Sequence, residues 1–123
     1  MTPCELLVCA EDAMVNSYSP YSGFSVGAAL ITADGRVYKG CNIENSAFSP
    51  TICAERTAFF KAISEGENDF EAIAIVGKYK NGEYKHLCYP CGVCRQVMKE
   101  FCGGDFKIIL GDGKGEYEVH TLS

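Results

Sequence analysis

Apolar residues in this chain alternate between helical spacing and short continuous runs, and that alternation narrows the folds open to it. Leu6, Leu7, Ala10, Ala13 and Met14 recur at helical spacing within residues 2–16, giving one apolar helix face. Thr2-Pro3-Cys4-Glu5 has the form of a capping box with proline at the first helical position. Tyr18 to Gly23 (Y-S-P-Y-S-G) is turn chemistry, and Phe24 to Thr32 reads as a buried strand. Asp34-Gly35 signals a tight hairpin, so Arg36 to Glu44 is expected to return antiparallel to that strand. Ile52 to Glu65 reads as a second helix stopped by Gly66, and Ala72 to Gly77 as a short buried strand. Cys91 to Phe101 reads as a third helix ended by Gly103-Gly104. Phe106 to Leu110 is another strand, and Asp112 to Gly115 turns the chain into a last one, Glu116 to His120.

Two strand–helix–strand units in succession favour one sheet with helices on its faces and right-handed crossovers. Helices of successive units begin at the carboxyl edge of such a sheet, where ligands bind. The starts of the helices at 52 and 91 are therefore expected to meet. With 123 residues there is room for one domain, 1–123. A net charge of −5 gives no electrostatic grip on a phosphate backbone, which argues against a nucleic-acid polymer as partner. No apolar run approaches the ~20 residues of a bilayer span, so no membrane partner is expected. Glu5, Glu11 and Asp12 stand where a signal peptide needs a basic patch and an apolar core, which makes the cytoplasm the expected location.

Eight cysteines stand at 4, 9, 41, 53, 88, 91, 94 and 102. A disulfide framework belongs to secreted chains, so reduced thiols are expected here, five of them as small buried hydrophobes. The other three form a pattern. Cys91 and Cys94 are a C-x-x-C pair at one helix start, and Cys53 opens the other helix. Zinc prefers tetrahedral sulfur and nitrogen donors, and a two-residue spacer presents two sulfurs to one ion. Helix N-termini also favour the thiolate form. A redox pair and a closed four-ligand site, with Cys88 or Cys102 as fourth donor, are the competing readings. Three ligands with one open position is the catalytic pattern.

Glu55 favours the catalytic reading. Two residues after Cys53, it would point near the metal without binding it, placed to accept a proton from an activated water. Zinc with three thiolates carries one net negative charge, which weakens it as a Lewis acid. Arg56 and Arg95 directly follow Glu55 and Cys94, and hydrogen bonds from them to the sulfurs would draw off that charge.

C-A-E at 53–55 with P-C-G-V-C-R-Q at 90–96 resembles the zinc nucleoside deaminases, and more closely the small homotetrameric cytidine deaminases. Y-S-G-F-S-V-G-A-A-L at 21–30, G-C-N-I-E-N at 40–45 and T-I-C-A-E-R-T-A at 51–58 extend the resemblance over nearly the whole chain. The related His-x-Glu…Pro-Cys-x-x-Cys pattern, with its three-cysteine variant, is general among zinc base deaminases. The resemblance implies a three-layer α/β/α fold with a mixed five-stranded sheet and one Zn2+ per chain. It also implies a homotetramer acting on cytidine and 2′-deoxycytidine in pyrimidine salvage, with Glu55 as proton shuttle. Phe24 would then stack on the pyrimidine, Asn42 and Glu44 would bond the ribose, and backbone around Ala54 would hold the base. Asn42 and Glu44, two apart on the expected strand, would face the same way. The Gly27-Ala28-Ala29 run is read as helix packing.

Three positions depart from the family pattern. Tyr89, preceded by Cys88, stands where relatives carry a small hydroxyl residue, and Phe48 where many have tyrosine. The sequence stops at His120-Thr121-Leu122-Ser123, before the Leu-Leu-Pro segment and aromatic residue of relatives. Three rival readings remain: a deaminase of another aminated nucleoside or free base, a polynucleotide editor, and a non-catalytic zinc module.

Overall fold

The computed structural model describes residues 1–123. The chain starts with α1 (Pro3–Ala13), followed by the hairpin β1 (Phe24–Thr32) and β2 (Val37–Cys41). Next come α2 (Ala54–Ser64), β3 (Phe70–Tyr79), α3 (Gly92–Phe101), β4 (Lys107–Gly111) and β5 (Tyr117–Thr121). The capping box of α1 forms as its residues foretell. The Thr2 N–H donates to the Glu5 carboxylate at 2.8 Å, and the Glu5 N–H to the Thr2 hydroxyl at 3.2 Å. The helix is shorter than 2–16 because its last turn tightens into a 3-10 turn, Met14–Asn16. Gly66, at φ +96°, supplies the left-handed residue beyond α2.

The sheet has the order β2-β1-β3-β4-β5. β1 runs antiparallel to both β2 and β3, β3 and β4 are parallel, and β5 returns antiparallel. This is the expected mixed five-stranded sheet. Its consequence for the site is that β2 and β3 point the same way on either side of β1. The helices that follow them, α2 and α3, therefore start at the same sheet edge.

Strand alternation sorts side chains into two layers. Val26, Ala28, Leu30, Ile73, Ile75, Ile108 and Leu110 face α2 and α3, packing on Ala58, Phe59, Ala62 and Met98. Ala29, Ile31, Ala72, Ala74, Val76 and Ile109 face the other way, against Leu6 and Ala10 of α1. Close approach is made possible by glycine. A Cβ on Gly27 would lie 1.9 Å from the Ala10 carbonyl oxygen, and one on Gly40 would lie 2.4 Å from the Ala54 carbonyl oxygen. The Gly27-Ala28-Ala29 run is thus packing, as read.

β2 ends at Cys41, three residues before the expected limit of 44. The pairing stops at Gly27–Cys41 because the Asn42 side chain takes over the edge of β1. Its Oδ1 accepts the Val26 N–H at 2.9 Å and its Nδ2 donates to the Phe24 carbonyl at 2.8 Å. β3 is longer than the expected 72–77. Phe70 at one end packs edge-on against Phe59, with centroids 5.2 Å apart, and Tyr79 at the other packs on Phe24 at 4.9 Å.

Replacing Gly27 by alanine drives a methyl group into the α1 backbone, which cannot swing aside as a side chain could. The substitution is expected to cost about 3 kcal/mol, read as a lowered urea midpoint at unchanged slope.

Candidate active site

α2 and α3 do start side by side, and three sulfurs converge there. Cys53 is the N-cap of α2 and Cys91 the N-cap of α3, with Cys94 in its first turn. The Cys53 and Cys91 sulfurs are 3.8 Å apart, Cys91 and Cys94 are 3.3 Å apart, and all three lie within 4.8 Å of one another. Two sulfurs held about 2.3 Å from one ion at the tetrahedral angle lie about 3.8 Å apart, so this donor set fits zinc. A redox dithiol would need only two sulfurs, whereas a third completes this group. All eight cysteines are free thiols.

Neither rival fourth ligand joins the cluster. Cys102 caps the far end of α3, about 15 Å along a ten-residue helix. Cys88 is buried beside Glu55, and burial followed by the charge of Glu55 pushes its thiol up to about 11. Its sulfur is not among the three that converge, so Cys88 serves as a wall of the cleft.

The local electrostatics favour anionic sulfur. The Cys91 sulfur accepts the Cys94 N–H at 3.4 Å, using a donor the start of a helix leaves unpaired. Hydrogen bonding from Cys94, then from Arg56, brings the Cys53 thiol down to about 5, while the proton of Cys94 is held more tightly than usual. Charge collects first on Cys53, beside Arg56, whose Nη2 donates to its sulfur at 3.4 Å. Arg56 Nε is buried with no acceptor, so the charge of the sulfur cluster is what holds the guanidinium there.

The two arginines differ in placement. Arg95 is exposed, and its guanidinium reaches toward the Leu122 carbonyl at 3.5 Å instead of the sulfurs. The expectation of a cation on each metal arm is corrected for the second arm. One residue along the helix, a rotation of about 100°, carries Arg95 away from the face of Cys94 and on to the side facing the chain's last residues.

Glu55, in the first turn of α2, is only 5% exposed. Burial raises its carboxyl to about 7, against the opposing pull of backbone hydrogen bonding. A carboxyl near neutrality can both take and give a proton. A cleft of about 300 Å³ opens onto it, lined by Phe24, Asn42, Glu44, Ala54 and Cys88 together with the sulfurs of Cys53 and Cys91. Such a volume lies at the lower end of small-molecule sites.

Asn42 and Glu44 do turn to the same side, although both lie beyond β2. Their partners were not foreseen. The Glu44 carboxylate accepts the N–H groups of Tyr21 and Ser22 at 3.0 and 3.1 Å and the Ser22 hydroxyl. Asn42 also accepts the Ser17 hydroxyl at 2.5 Å. Both side chains thereby pin the turn that delivers Phe24. Ser22 is legible in the sequence only as a turn residue and Ser17 carries no signal of its own, since nothing local links either to positions some twenty residues away.

Three sulfurs placed to hold one ion, a buried carboxyl and an apolar-walled cleft on an α/β/α sandwich fit a zinc hydrolase acting on a small molecule. Residues 2–110 match the family model for the cytidine and deoxycytidylate deaminase zinc-binding region. The chain is 48% identical over 119 residues to the cytidine deaminase of Sporosarcina psychrophila, covering 97% of this chain and 84% of that protein. It is 49% identical over 114 residues to that of Halalkalibacterium halodurans, covering 93% and 83%. The crystal structure of the cytidine deaminase from Burkholderia pseudomallei superposes with a TM-score of 0.89 at 42% identity, covering 99% of this chain and 94% of that one. This chain belongs to the cytidine and deoxycytidylate deaminase family, and it is a zinc-dependent hydrolytic deaminase.

Cys53→Ala leaves two sulfurs and is expected to abolish stoichiometric zinc, read by atomic absorption on the purified protein. Arg56→Gln keeps all three sulfurs but leaves their charge unopposed. It is expected to lower zinc affinity or turnover by about 10–100-fold, with affinity read by competition against a chromogenic chelator.

Proposed function

We propose that this chain converts cytidine and 2′-deoxycytidine to uridine and 2′-deoxyuridine, consuming water and releasing ammonia in pyrimidine salvage. In this reading residues 1–123 act as one deaminase domain, in a cytoplasmic homotetramer with one zinc per chain. The observation that carries it is the single cleft lined at once by the metal-ready sulfurs, a buried carboxyl, an aromatic ring and two polar side chains.

Each residue has a distinct task. Cys53, Cys91 and Cys94 hold the ion, and Arg56 moderates the charge on Cys53. Zinc held by these three sulfurs would supply Lewis acidity that makes water nucleophilic at neutral pH. Glu55 would take a proton from the attacking water and deliver one to the ring nitrogen beside carbon 4 as the oxygen bonds to that carbon. Glu55 would then take the second proton, from the hydroxyl now on carbon 4, and pass it to the amino group, so that the carbon–nitrogen bond breaks, the carbonyl forms and ammonia leaves. Burial suits Glu55 to both transfers, because its proton affinity is close to the operating pH.

Recognition falls to the other end of the cleft. The Phe24 ring offers a face for stacking the pyrimidine, and the backbone at Ala54 borders the base. Asn42 spends one amide hydrogen on the Phe24 carbonyl and has a second for a sugar hydroxyl. The Ser22 hydroxyl holds the Glu44 carboxyl below its usual range, so it stays an acceptor. A sugar-facing amide and carboxylate favour a nucleoside over a free base. The assembly is supported by exposed aromatic surface near the site: Phe48 is 88% exposed. Light scattering is expected to return four times the 13.4 kDa chain mass.

The test is to mix zinc-replete protein with cytidine, following ammonia and the ultraviolet change to uridine, with free cytosine in parallel. Cytidine is expected to turn over and cytosine to lag far behind. Glu55→Gln is expected to retain one zinc and the wild-type melting temperature while kcat falls by about 10²–10⁴-fold. A fully active Glu55→Gln protein removes Glu55 from the proton transfers.

A further inference from the structure

Four glycines in the sheet occupy places where a side chain would collide, and at three of them the neighbour belongs to a helix, with Gly111 meeting Leu7 of α1. Gly27 makes room for the backbone of α1 and Gly40 for that of α2. Gly77, near the end of β3, makes room for something else. A Cβ there would lie 2.5 Å from Cζ and 3.1 Å from Cε1 of Phe24, and 3.2 Å from the Cys88 sulfur. Gly77 does not have a positive φ, so backbone conformation does not demand glycine at this position. The demand is for space.

Gly77 extends the row of Ile73 and Ile75 on the face toward α2 and α3, opposite Val26 of β1. At the third step of that row, the ring of Phe24 fills the volume a side chain would take. Two further neighbours flank the ring, leaving its cleft side open. Tyr79 packs at 4.9 Å between centroids with planes tilted by 41°, and the Lys85 ammonium stands 5.8 Å from the ring centroid. Phe24 and Cys88 line the cleft whereas Gly77 does not, so the ring lies between Gly77 and the cleft.

We propose that Gly77 is a positioning residue for the reaction: by lacking a side chain it lets the Phe24 ring seat against β3, which sets the width of the slot in which the base stacks. Any atom added at Gly77 pushes the ring into that slot. Cys88 supports the ring from the same side, and its thiol acts here as volume. The kinetic consequence rests on the cytidine reading, whereas the seating of the ring does not.

The test uses the zinc-replete full chain. Gly77→Ala is expected to raise KM for cytidine at least about fivefold with kcat within about twofold, the signature of lost uniform binding, while zinc stoichiometry is unchanged. In a Phe24→Ala background the same substitution is expected to change KM by less than about twofold, because the ring through which it acts is gone. An unchanged KM, or equal fold-changes in the two backgrounds, overturns the assignment. A second readout needs no turnover: in wild-type protein carrying labelled phenylalanine, the Phe24 ring protons are expected to give a nuclear Overhauser effect to the Gly77 α-protons. Its absence overturns the seating. Wild-type protein that shows the effect but is inert to cytidine keeps the seating and discards the substrate.

Discussion

The starts of α2 and α3 meet because β2 and β3 run parallel with the antiparallel β1 between them. That one feature of strand order brings residues 53, 91 and 94 within ligand distance of a single ion. Helix N-termini concentrate unpaired N–H donors and the positive end of the peptide dipoles, so two of them facing each other form a site for anions. Thiolates are the anions this chain supplies. Cys91 uses its sulfur as the cap of its own helix, which ties the metal donor set to the helix geometry that positions it.

A buried acid beside that cluster is the second consequence. Glu55 is buried in the first turn of α2, beside the Cys53 and Cys94 sulfurs. Desolvation then outweighs hydrogen bonding and keeps the carboxyl near neutrality. Glu44, on an exposed loop and bonded by Ser22, is shifted the opposite way. Two carboxyls facing one cleft thus take opposite roles, and their environments divide the roles between them. Residue type does not.

Glycine links packing to recognition. At Gly40 the missing side chain brings α2, which carries Glu55, close to the sheet, and at Gly27 it does the same for α1 on the other face. At Gly77 it governs the aromatic wall of the cleft. The polar braces of Asn42 and Glu44 hold the backbone on which Phe24 is carried, so the position of the ring is set from both ends: backbone by hydrogen bonds, ring by steric fit. A shift at either end alters the slot without touching the metal.

Local sequence was enough to define the three helices, five strands, capping box, hairpin turn and metal motif. Each rests on contacts within a few residues: apolar periodicity, a Thr-x-x-Glu pair, an Asp-Gly turn, a C-x-x-C spacer. The C-A-E and P-C-G-V-C-R-Q segments carry the chemistry in their spacing, so family and metal were legible before any fold was known. What depended on residues far apart in the chain was not. The end of β2 was misplaced because Asn42 replaces ladder bonds with side-chain bonds to a strand eighteen residues earlier. Arg95 matched Arg56 in sequence but turned to the carbonyl of Leu122, a choice made only when the last residues return beside α3. The exclusion of Cys88 and Cys102 from the sulfur cluster, the burial of Glu55 and the place of Gly77 behind Phe24 are likewise tertiary. Sequence specifies which groups are present and their local spacing; their distances and desolvation, which set proton affinity and fit, exist only once the sheet brings the two helix starts together.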